Sequence, residues 1–136
     1  MATKIPTSHR DLLDQQAAVL ATVGADGRPQ QSVVWFLASD VDGETVVQIS
    51  LHTDRQKTRN LRARPVIDLV VVDSTTPMRY IEVRGDAEIA DDPGYQFADR
   101  IGAKYGVDLR QFDGPVQERV VVTIHPTVVH AVDMTG

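Results

Sequence analysis

The sequence predicts a mainly β fold of the α+β type, an antiparallel barrel of about seven strands with about three short helices packed around it. Three observations support this prediction. Short β-branched segments alternate with turn sequences, no regular alternation of strands and helices occurs, and most connections are short. The length of 136 residues fits one domain, which we expect to span residues 1–136.

The first half of the chain predicts one short helix followed by a three-stranded meander. Ser8 and Asp11 have the spacing of a capping box, so a helix is expected near residues 8–17. Asp26-Gly27 is a favoured hairpin turn between the first two strands, and a second turn precedes the third strand. The three strands are predicted at residues 19–23, 31–38 and 45–50.

The second half of the chain predicts two helices and four strands. Residues 54–62 directly follow a strand and form the second helix, and Asp92-Pro93 starts a third helix that ends near Gly106. Gly85 predicts a bulge, and Pro126 interrupts the last two strands because proline cannot donate to a ladder. A polar loop is expected before residue 115, and the strands are predicted at residues 66–72, 79–89, 120–124 and 127–132.

Charge is distributed unevenly along the chain. Nineteen acidic and fourteen basic residues give a net charge of −5, which argues against nucleic acid or an anionic membrane as the main partner. Residues 54–64 nevertheless hold five basic residues and one acid, so this segment carries +4 and the rest of the chain −9. The positive charge of an acidic protein is therefore concentrated in one short segment.

Several classes of chemistry are excluded by missing residues and motifs. The chain has no cysteine, which excludes disulfides, thiolate nucleophiles, cysteine-bound zinc and iron–sulfur clusters. It also lacks the GxSxG, GxxxxGK[ST] and GxGxxG motifs. No apolar run approaches the ~18 residues of a membrane span and the N-terminus does not resemble a signal peptide, so we expect a cytoplasmic protein without membrane insertion. No metal site is expected, because no metal-ligand spacing connects the four histidines, His9, His52, His125 and His130.

The basic segment predicts an anion site. A helix that starts directly after a strand presents backbone N–H groups with partial positive charge, and Arg55 and Lys57 add full charges in the first turn. Positive side chains are unfavourable at a helix N-terminus unless an anion offsets them, so a phosphate is the expected ligand. The alternative is that the basic residues only form a solvated helix face.

Aromatic residues and one histidine are further candidates. Trp35 either packs in the core, which is the favoured interpretation, or forms a platform in a ring-binding groove or at a dimer interface. His52 lies between the third strand and the basic helix and could approach a ligand there. Met78-Arg79-Tyr80 opens a strand and either binds a ligand or forms an ordinary sheet edge.

The segment Lys57-Thr58-Arg59-Asn60-Leu61-Arg62, followed by Arg64-Pro65, resembles a known family. It is similar to the flavin and deazaflavin oxidoreductases with the pyridoxamine 5′-phosphate oxidase-like split β-barrel, in particular the mycobacterial-type B group that uses coenzyme F420. The resemblance covers roughly residues 9–134, and further matching segments are residues 19–23, 26–30, 31–36 and 48–50.

The resemblance implies a homodimer with two cofactor sites between subunits, in which the helix after the third strand holds the cofactor phosphate. Carried over by position, the contacts to the phosphate or tail are Arg55, Lys57 and Asn60, and Gln56 is a further implied cofactor-binding residue. The residues implied to line the isoalloxazine-like ring are Gln31, Ser32, Val33, Val34, Trp35 and Ser50. The facing subunit is implied to contribute Met78, Arg79 and Tyr80.

The activity implied by the resemblance is hydride transfer from reduced F420 to a small unsaturated, quinone-like or tetrapyrrole acceptor. Tyr80, His52 or solvent would then supply the proton. Two alternatives stay open: an FMN-dependent oxidase or reductase on the same fold, and a non-catalytic carrier of F420 or haem.

Overall fold

The computed structural model describes residues 3–115 and 118–135, and seven strands dominate it. The strands are β1 (Ala18–Val23), β2 (Pro29–Val34), β3 (Leu37–Val41), β4 (Glu44–His52), β5 (Val66–Val72), β6 (Arg79–Asp91) and β7 (Arg119–Asp133). The α-helices are α1 (Gln56–Ala63), α2 (Gln96–Tyr105) and α3 (Leu109–Asp113), and two 3₁₀ helices cover Thr7–Asp14 and Pro93–Tyr95.

All strand pairs are antiparallel, and they form one sheet in the order β2-β1-β5-β6-β7-β4-β3. The strands at the two ends of this order, β2 and β3, are separated in the chain only by Trp35 and Phe36. The sheet must therefore curl until its ends approach each other, which confirms the predicted split β-barrel with few short helices.

The single strand predicted at residues 31–38 is wrong, because the chain leaves the ladder at Phe36. The Phe36 N–H donates to the Tyr105 hydroxyl (3.0 Å), and the Phe36 carbonyl accepts from Lys104 Nζ (2.9 Å). Helix α2 thus satisfies backbone groups that a strand neighbour would otherwise bind. As a result, Val34 pairs with Ala18 in β1, whereas Leu37 pairs with Gln48 in β4.

The interruption predicted at Pro126 is also wrong, since β7 runs through it without a break. Pro126 lies opposite Gly85, where the register between β6 and β7 shifts. A bulge at this position, which the sequence predicted, tolerates the missing N–H of proline. A Cβ atom on Gly85 would lie 2.1 Å from the carbonyl oxygen of His125, so only glycine fits.

A helix forms in each of the three regions where the sequence predicts one, but the starts of these helices differ from the predicted starts. The first helix is a 3₁₀ helix over Thr7–Asp14, and the capping box is absent because the Ser8 hydroxyl bonds the His9 ring instead. Helix α1 begins at Gln56, so Arg55 is its N-cap residue and precedes the first turn.

The third predicted helix begins later than Asp92-Pro93 indicated. The Asp92 carboxylate does accept hydrogen bonds from the backbone of Phe97 and Ala98 (both 2.9 Å), but the short 3₁₀ helix intervenes before α2. The predicted end at Gly106 is confirmed by its left-handed C-cap conformation. The polar loop predicted after it contains α3, whose N-cap Asp108 accepts from the backbone N–H of Arg110 (3.0 Å).

The core fills the barrel and extends under α2. Alternate residues of the strands point inward and are fully buried, among them Leu20, Ile49, Leu69 and Ile81. A smaller cluster joins Phe97, Ala98, Ile101 and Leu109 and fixes α2 and α3 against the outside of β3 and β7. Within residues 3–115 and 118–135 no helix has the length and apolar character needed to cross a membrane.

Candidate functional site

A cavity of about 310 Å³ lies where β2, β4 and the start of α1 meet the small cluster around α2 and α3. Seven residues predicted from the sequence as candidates come together in its lining: Val33, Val34, Trp35, Ser50, His52, Arg55 and Lys57. The remaining lining residues are Leu51, Ile101, Leu109, Phe112 and Arg119. The wall is therefore apolar between two polar regions.

Arg55 and Lys57 form the first polar region, which we call the cationic pole. Lys57 lines the cavity, and its Nζ donates to Ser32 Oγ on β2 (3.0 Å). Burial, and then the positive charge of Arg55, lower the pKa of Lys57. Within the described ranges neither side chain forms an ion pair with a carboxylate, so the positive charge of this pole is not neutralised by the protein. Such a region fits a phosphate or another anion.

Asn60 and Gln56 do not line the cavity. Asn60 is buried, and its Nδ2 donates to Thr22 Oγ1 (3.1 Å) and Gln30 Oε1 (3.0 Å). Its Oδ1 accepts from Gln56 Nε2 (2.8 Å). Thr58 completes the attachment, because its hydroxyl donates to the carbonyl of His52 (2.7 Å). These contacts fix α1 to β1, β2 and β4, and so position the cationic pole.

The second polar region, which we call the Arg119 cluster, contains Ser50, His52, Tyr95, Asp113 and Arg119. The Asp113 carboxylate accepts from Arg119 Nε (2.7 Å) and Nη2 (2.8 Å), and also from the Tyr95 hydroxyl (2.9 Å). Arg119 Nη1 donates to Ser50 Oγ (3.0 Å). The Asp113 and Arg119 side chains are only 1% and 7% exposed, so this is a buried ion pair at the cavity wall.

His52 is held neutral by this cluster. Burial, followed by the charge of Arg119, lowers the pKa of His52, and the Asp113 carboxylate only partly opposes this. Arg119 Nη2 lies 3.3 Å from His52 Nε2, and a guanidinium can only donate. The contact with Arg119 therefore assigns Nε2 as the acceptor and the ring proton to Nδ1, which has no partner in the described part of the chain, while Asp113 Oδ1 lies 3.4 Å from Nε2. The hydrogen bonds from Arg119 and Tyr95 lower the pKa of Asp113, which stays ionised.

The sequence did not identify Arg119 or Asp113 as site residues. Their spacing of six resembles no motif, and Asp113 was placed in a polar loop. Antiparallel pairing of β4 with β7 puts Arg119 directly opposite His52. A predicted β4–β7 pairing would have been the necessary signal.

The tryptophan is a wall residue and not a core residue, which corrects the favoured interpretation. The Trp35 side chain is 38% exposed and its ring stacks on Tyr105, with centroids 4.3 Å apart and planes 7° from parallel. The fully buried aromatic is its neighbour Phe36. One ring face of Trp35 is thus fixed by α2 at the edge of the cavity.

Five further predicted residues lie outside this cavity in the same chain, one of them Ser32, which accepts from Lys57. Gln31 is exposed on β2, two residues from the outward-facing Val33. Arg79 forms ion pairs with Asp11 (2.7 Å) and Asp73 (3.2 Å), and its neighbours Met78 and Tyr80 also lie away from the cavity. Their assignment to a facing subunit stays a prediction.

A larger cavity of about 520 Å³ lies on the other side of Arg119. Its lining contains none of the residues predicted from the sequence, and it combines acidic residues such as Asp91 and Glu118 with Arg110. We therefore assign the candidate site to the smaller cavity, where the predicted residues converge.

The split barrel has a cationic cavity at a strand-to-helix junction, and comparison with known proteins identifies its fold as the flavin- and deazaflavin-binding oxidoreductase type. A family model described as pyridoxamine 5′-phosphate oxidase matches residues 5–133. The chain belongs to this family.

Several solved structures have the same fold. An F420 reductase is 36% identical, with 93% of this chain and 98% of that chain covered and a TM-score of 0.74. A conserved hypothetical protein from Mycobacterium tuberculosis is 23% identical, covers 98% and 88% of the two chains and has a TM-score of 0.73. HutZ, the heme storage protein from Vibrio cholerae, is 16% identical, with 95% of each chain covered and a TM-score of 0.71. The last two share the fold, and no curated protein sequence matches this chain.

Proposed function

We propose that this protein binds coenzyme F420 in the 310 Å³ cavity and transfers hydride from the reduced deazaflavin to a small unsaturated or quinone-like acceptor, or to a tetrapyrrole. The observation that carries the proposal is the cationic pole at the end of an apolar cavity. The 36% identity with an F420 reductase supports F420 over other ring cofactors.

The cavity residues fit a planar ring with an anionic tail. Arg55 and Lys57 would hold the phosphate, since no carboxylate among the described residues neutralises their charges. Val33, Val34 and Trp35 would contact the ring through their apolar surfaces. The bound cofactor would supply a transferable hydride, while these side chains orient it and exclude water. Tyr80 lies away from this cavity in the same chain, and the neutral His52 ring accepts from Arg119, so solvent is the proposed source of the proton.

FMN is the second candidate cofactor, because the matching family model is that of pyridoxamine 5′-phosphate oxidase. FMN also ends in a phosphate, so the cationic pole alone does not separate the two cofactors. Binding of F420 or haem without turnover is the third candidate, and the shared fold of HutZ is its motivation.

A titration of the purified protein with F420, FMN and haem separates these candidates. We expect F420 to bind most tightly, and reduced F420 to be oxidised when menadione or biliverdin is added. Tight F420 binding with no turnover of any acceptor would favour the carrier, and tighter FMN binding would overturn the F420 assignment.

Lys57→Ala tests the phosphate contact. Loss of a charge-assisted hydrogen bond is expected to weaken F420 binding about tenfold or more, with an unchanged melting temperature. Arg62→Ala is the matched control, because Arg62 is an exposed cation on α1 outside the cavity lining. Equal F420 affinity of the Lys57→Ala variant and the unmodified protein would refute this assignment.

We further propose a homodimer, formed through the outward surface of the sheet. Strand alternation and register place five valines on this surface, and four of them are 37–70% exposed. We call it the outer face; it contains Val19, Val33, Val66, Val70 and Val72. An apolar surface of this kind is typical of an interface. Since Val33 also lines the cavity, a second copy seated there would lie beside the cavity, where the resemblance implies that its Met78, Arg79 and Tyr80 contact the cofactor.

A further inference from the structure

The Arg119 cluster is a buried polar structure that binding of a phosphate does not use. Removing two charges from water is expensive, and a buried ion pair is often no more stabilising than apolar residues of similar volume. The Arg119 side chain is nevertheless 93% buried at the wall of a cavity. This location indicates a function in recognition.

One hydrogen-bond donor of the cluster, the Ser50 hydroxyl, is available to a ligand. Ser50 Oγ accepts a hydrogen bond from Arg119 Nη1 (3.0 Å), so the Ser50 hydroxyl must donate its own hydrogen elsewhere. In the part of the chain that the structure describes, no acceptor contacts this hydroxyl, and Ser50 lines the cavity. A hydroxyl that accepts from a guanidinium is also a stronger donor, because hydrogen bonds in a chain polarise one another.

The two polar regions of the cavity differ in net charge. The cationic pole has two charges that no carboxylate in residues 3–115 and 118–135 pairs with, whereas the charge of Arg119 is neutralised by Asp113. The first region therefore suits a permanent anion such as a phosphate. The second region suits a carbonyl oxygen that gains negative charge during a reaction. Its fixed hydrogen-bond donors stabilise that charge, while its neutral overall charge gives it little attraction for permanent anions.

We propose that Ser50, supported by Arg119, binds the carbonyl oxygen of the acceptor, and that the acceptors are α,β-unsaturated carbonyl compounds or quinones. This inference rests on the proposed function. The acceptor receives the hydride at its β-carbon, the π electrons move to the carbonyl oxygen, and the enolate oxygen accepts the Ser50 hydrogen bond. A proton from water then completes the two-electron reduction, and the reduced cofactor is the electron donor.

Asp113, Tyr95 and His52 are positioning residues in this arrangement. Asp113 fixes the plane of the guanidinium through two contacts, and the Tyr95 hydroxyl fixes Asp113. Tyr95 itself adopts a left-handed backbone conformation (φ 60°), which is rare and unfavourable for a bulky residue. His52 accepts from Arg119 only while neutral, so its protonation in acid would disturb the guanidinium.

The test measures binding of 4-nitrophenolate, a stable phenolate that imitates an enolate oxygen, by its absorbance change. Inorganic phosphate is added at saturation to occupy the cationic pole. We expect Ser50→Ala and Arg119→Lys to weaken phenolate binding about tenfold, and Tyr95→Phe to weaken it severalfold. Arg100→Lys is the matched control, because Arg100 is exposed and bonds only Ser39 among the polar groups of the described chain.

A second titration separates this inference from the proposed cofactor. Lys57→Ala is expected to weaken phosphate binding and leave phenolate binding within about twofold, with Ser50→Ala giving the opposite pattern. Unchanged phenolate affinity of Ser50→Ala, whose small change keeps the fold, would overturn the inference. It would equally be overturned if Ser50→Ala weakened F420 binding as much as phenolate binding, since the hydroxyl would then contact the cofactor. Failure of F420 to bind, with the phenolate pattern intact, would remove only the proposed cofactor.

Discussion

Asp68 and Glu82 are neighbouring carboxyl groups beside the valines of the outer face, and they differ in their partners: Arg84 donates to both oxygens of Glu82, whereas Asp68 Oδ1 is buried without a partner in the described part of the chain. Burial, and then the hydrogen bond and charge of Glu82, raise the pKa of Asp68 to about 7. The hydrogen bond from Asp68, followed by Arg84, lowers the pKa of Glu82. Arg84 lies 3.1 Å from Glu82 but 3.9 Å from Asp68, so the cation favours Glu82 as the ionised member. His130, opposite Glu82 on β7, is the other titratable group on this surface.

The first prediction is that Asp68→Asn stabilises the protein at pH 8 and not at pH 4. The pKa of Asp68 is above its ordinary value of 3.8, so the folded state binds more protons between pH 4 and 7. Its free energy of unfolding therefore falls as the pH rises through this window, and an uncharged amide avoids the loss. Thermal melting at both pH values checks this, with the exposed Asp86→Asn as control. A melting temperature of Asp68→Asn that does not exceed the unmodified protein's at pH 8 would refute it.

At the scale of elements, the position of α2 decides the shape of the cavity. This helix supplies Ile101 to the wall and, through Tyr105, the ring that supports Trp35. Its start depends on Asp92, whose carboxylate reaches past a 3₁₀ turn to two backbone N–H groups. One buried side chain therefore connects the end of β6 with the helix that closes the site.

The second prediction concerns this connection. Asp92→Ala leaves two N–H groups of α2 without their acceptor and is expected to cost about 2 kcal/mol of unfolding free energy. A denaturant titration measures this value. The adjacent and exposed Asp91→Ala is the control and should change stability by less than about 0.5 kcal/mol. Equal effects of the two substitutions would mean that the cap contributes nothing.

At the scale of the whole molecule, the exposed outer face and the position of the cavity point to the same partner. Val33 is 70% exposed on the outer face and also belongs to the cavity lining. A second copy of the chain that covers the outer face would therefore also enclose the cavity. Dimer formation and cofactor affinity should then be coupled.

The third prediction is that Val19→Lys separates the dimer. Val19 lies between Val33 and Val70 in the strand register, so a lysine there places a charge in the middle of the apolar surface. We expect the unmodified protein to sediment as a dimer and this variant as a monomer with weaker F420 binding. Val41→Lys, an exposed valine on β3 outside the outer face, is the control. A monomeric unmodified protein at micromolar concentration would contradict the proposal.

Features that depend on neighbouring residues were predicted from the sequence, whereas features that depend on contacts between distant residues were not. The Asp26-Gly27 hairpin and the bulge at Gly85 depend on the conformations open to a few neighbouring residues, and both are confirmed. The break at Phe36 depends on Tyr105, 69 residues away, and was missed. Asn60 belonged to the most specific motif of the sequence, yet its contacts with Thr22 and Gln30 fix α1 in place.

The sequence by itself determined that the chain forms a barrel of short antiparallel strands and that positive charge collects where a strand meets a helix. Both follow from local periodicity and composition, which need no knowledge of distant contacts. Only the tertiary structure decided that this positive charge faces a second, neutralised polar region across an apolar cavity. That arrangement requires β4 to pair with β7, which brings His52 within 3.3 Å of Arg119 across 67 residues of sequence. No local pattern encodes such a contact, because it depends on how the whole sheet closes.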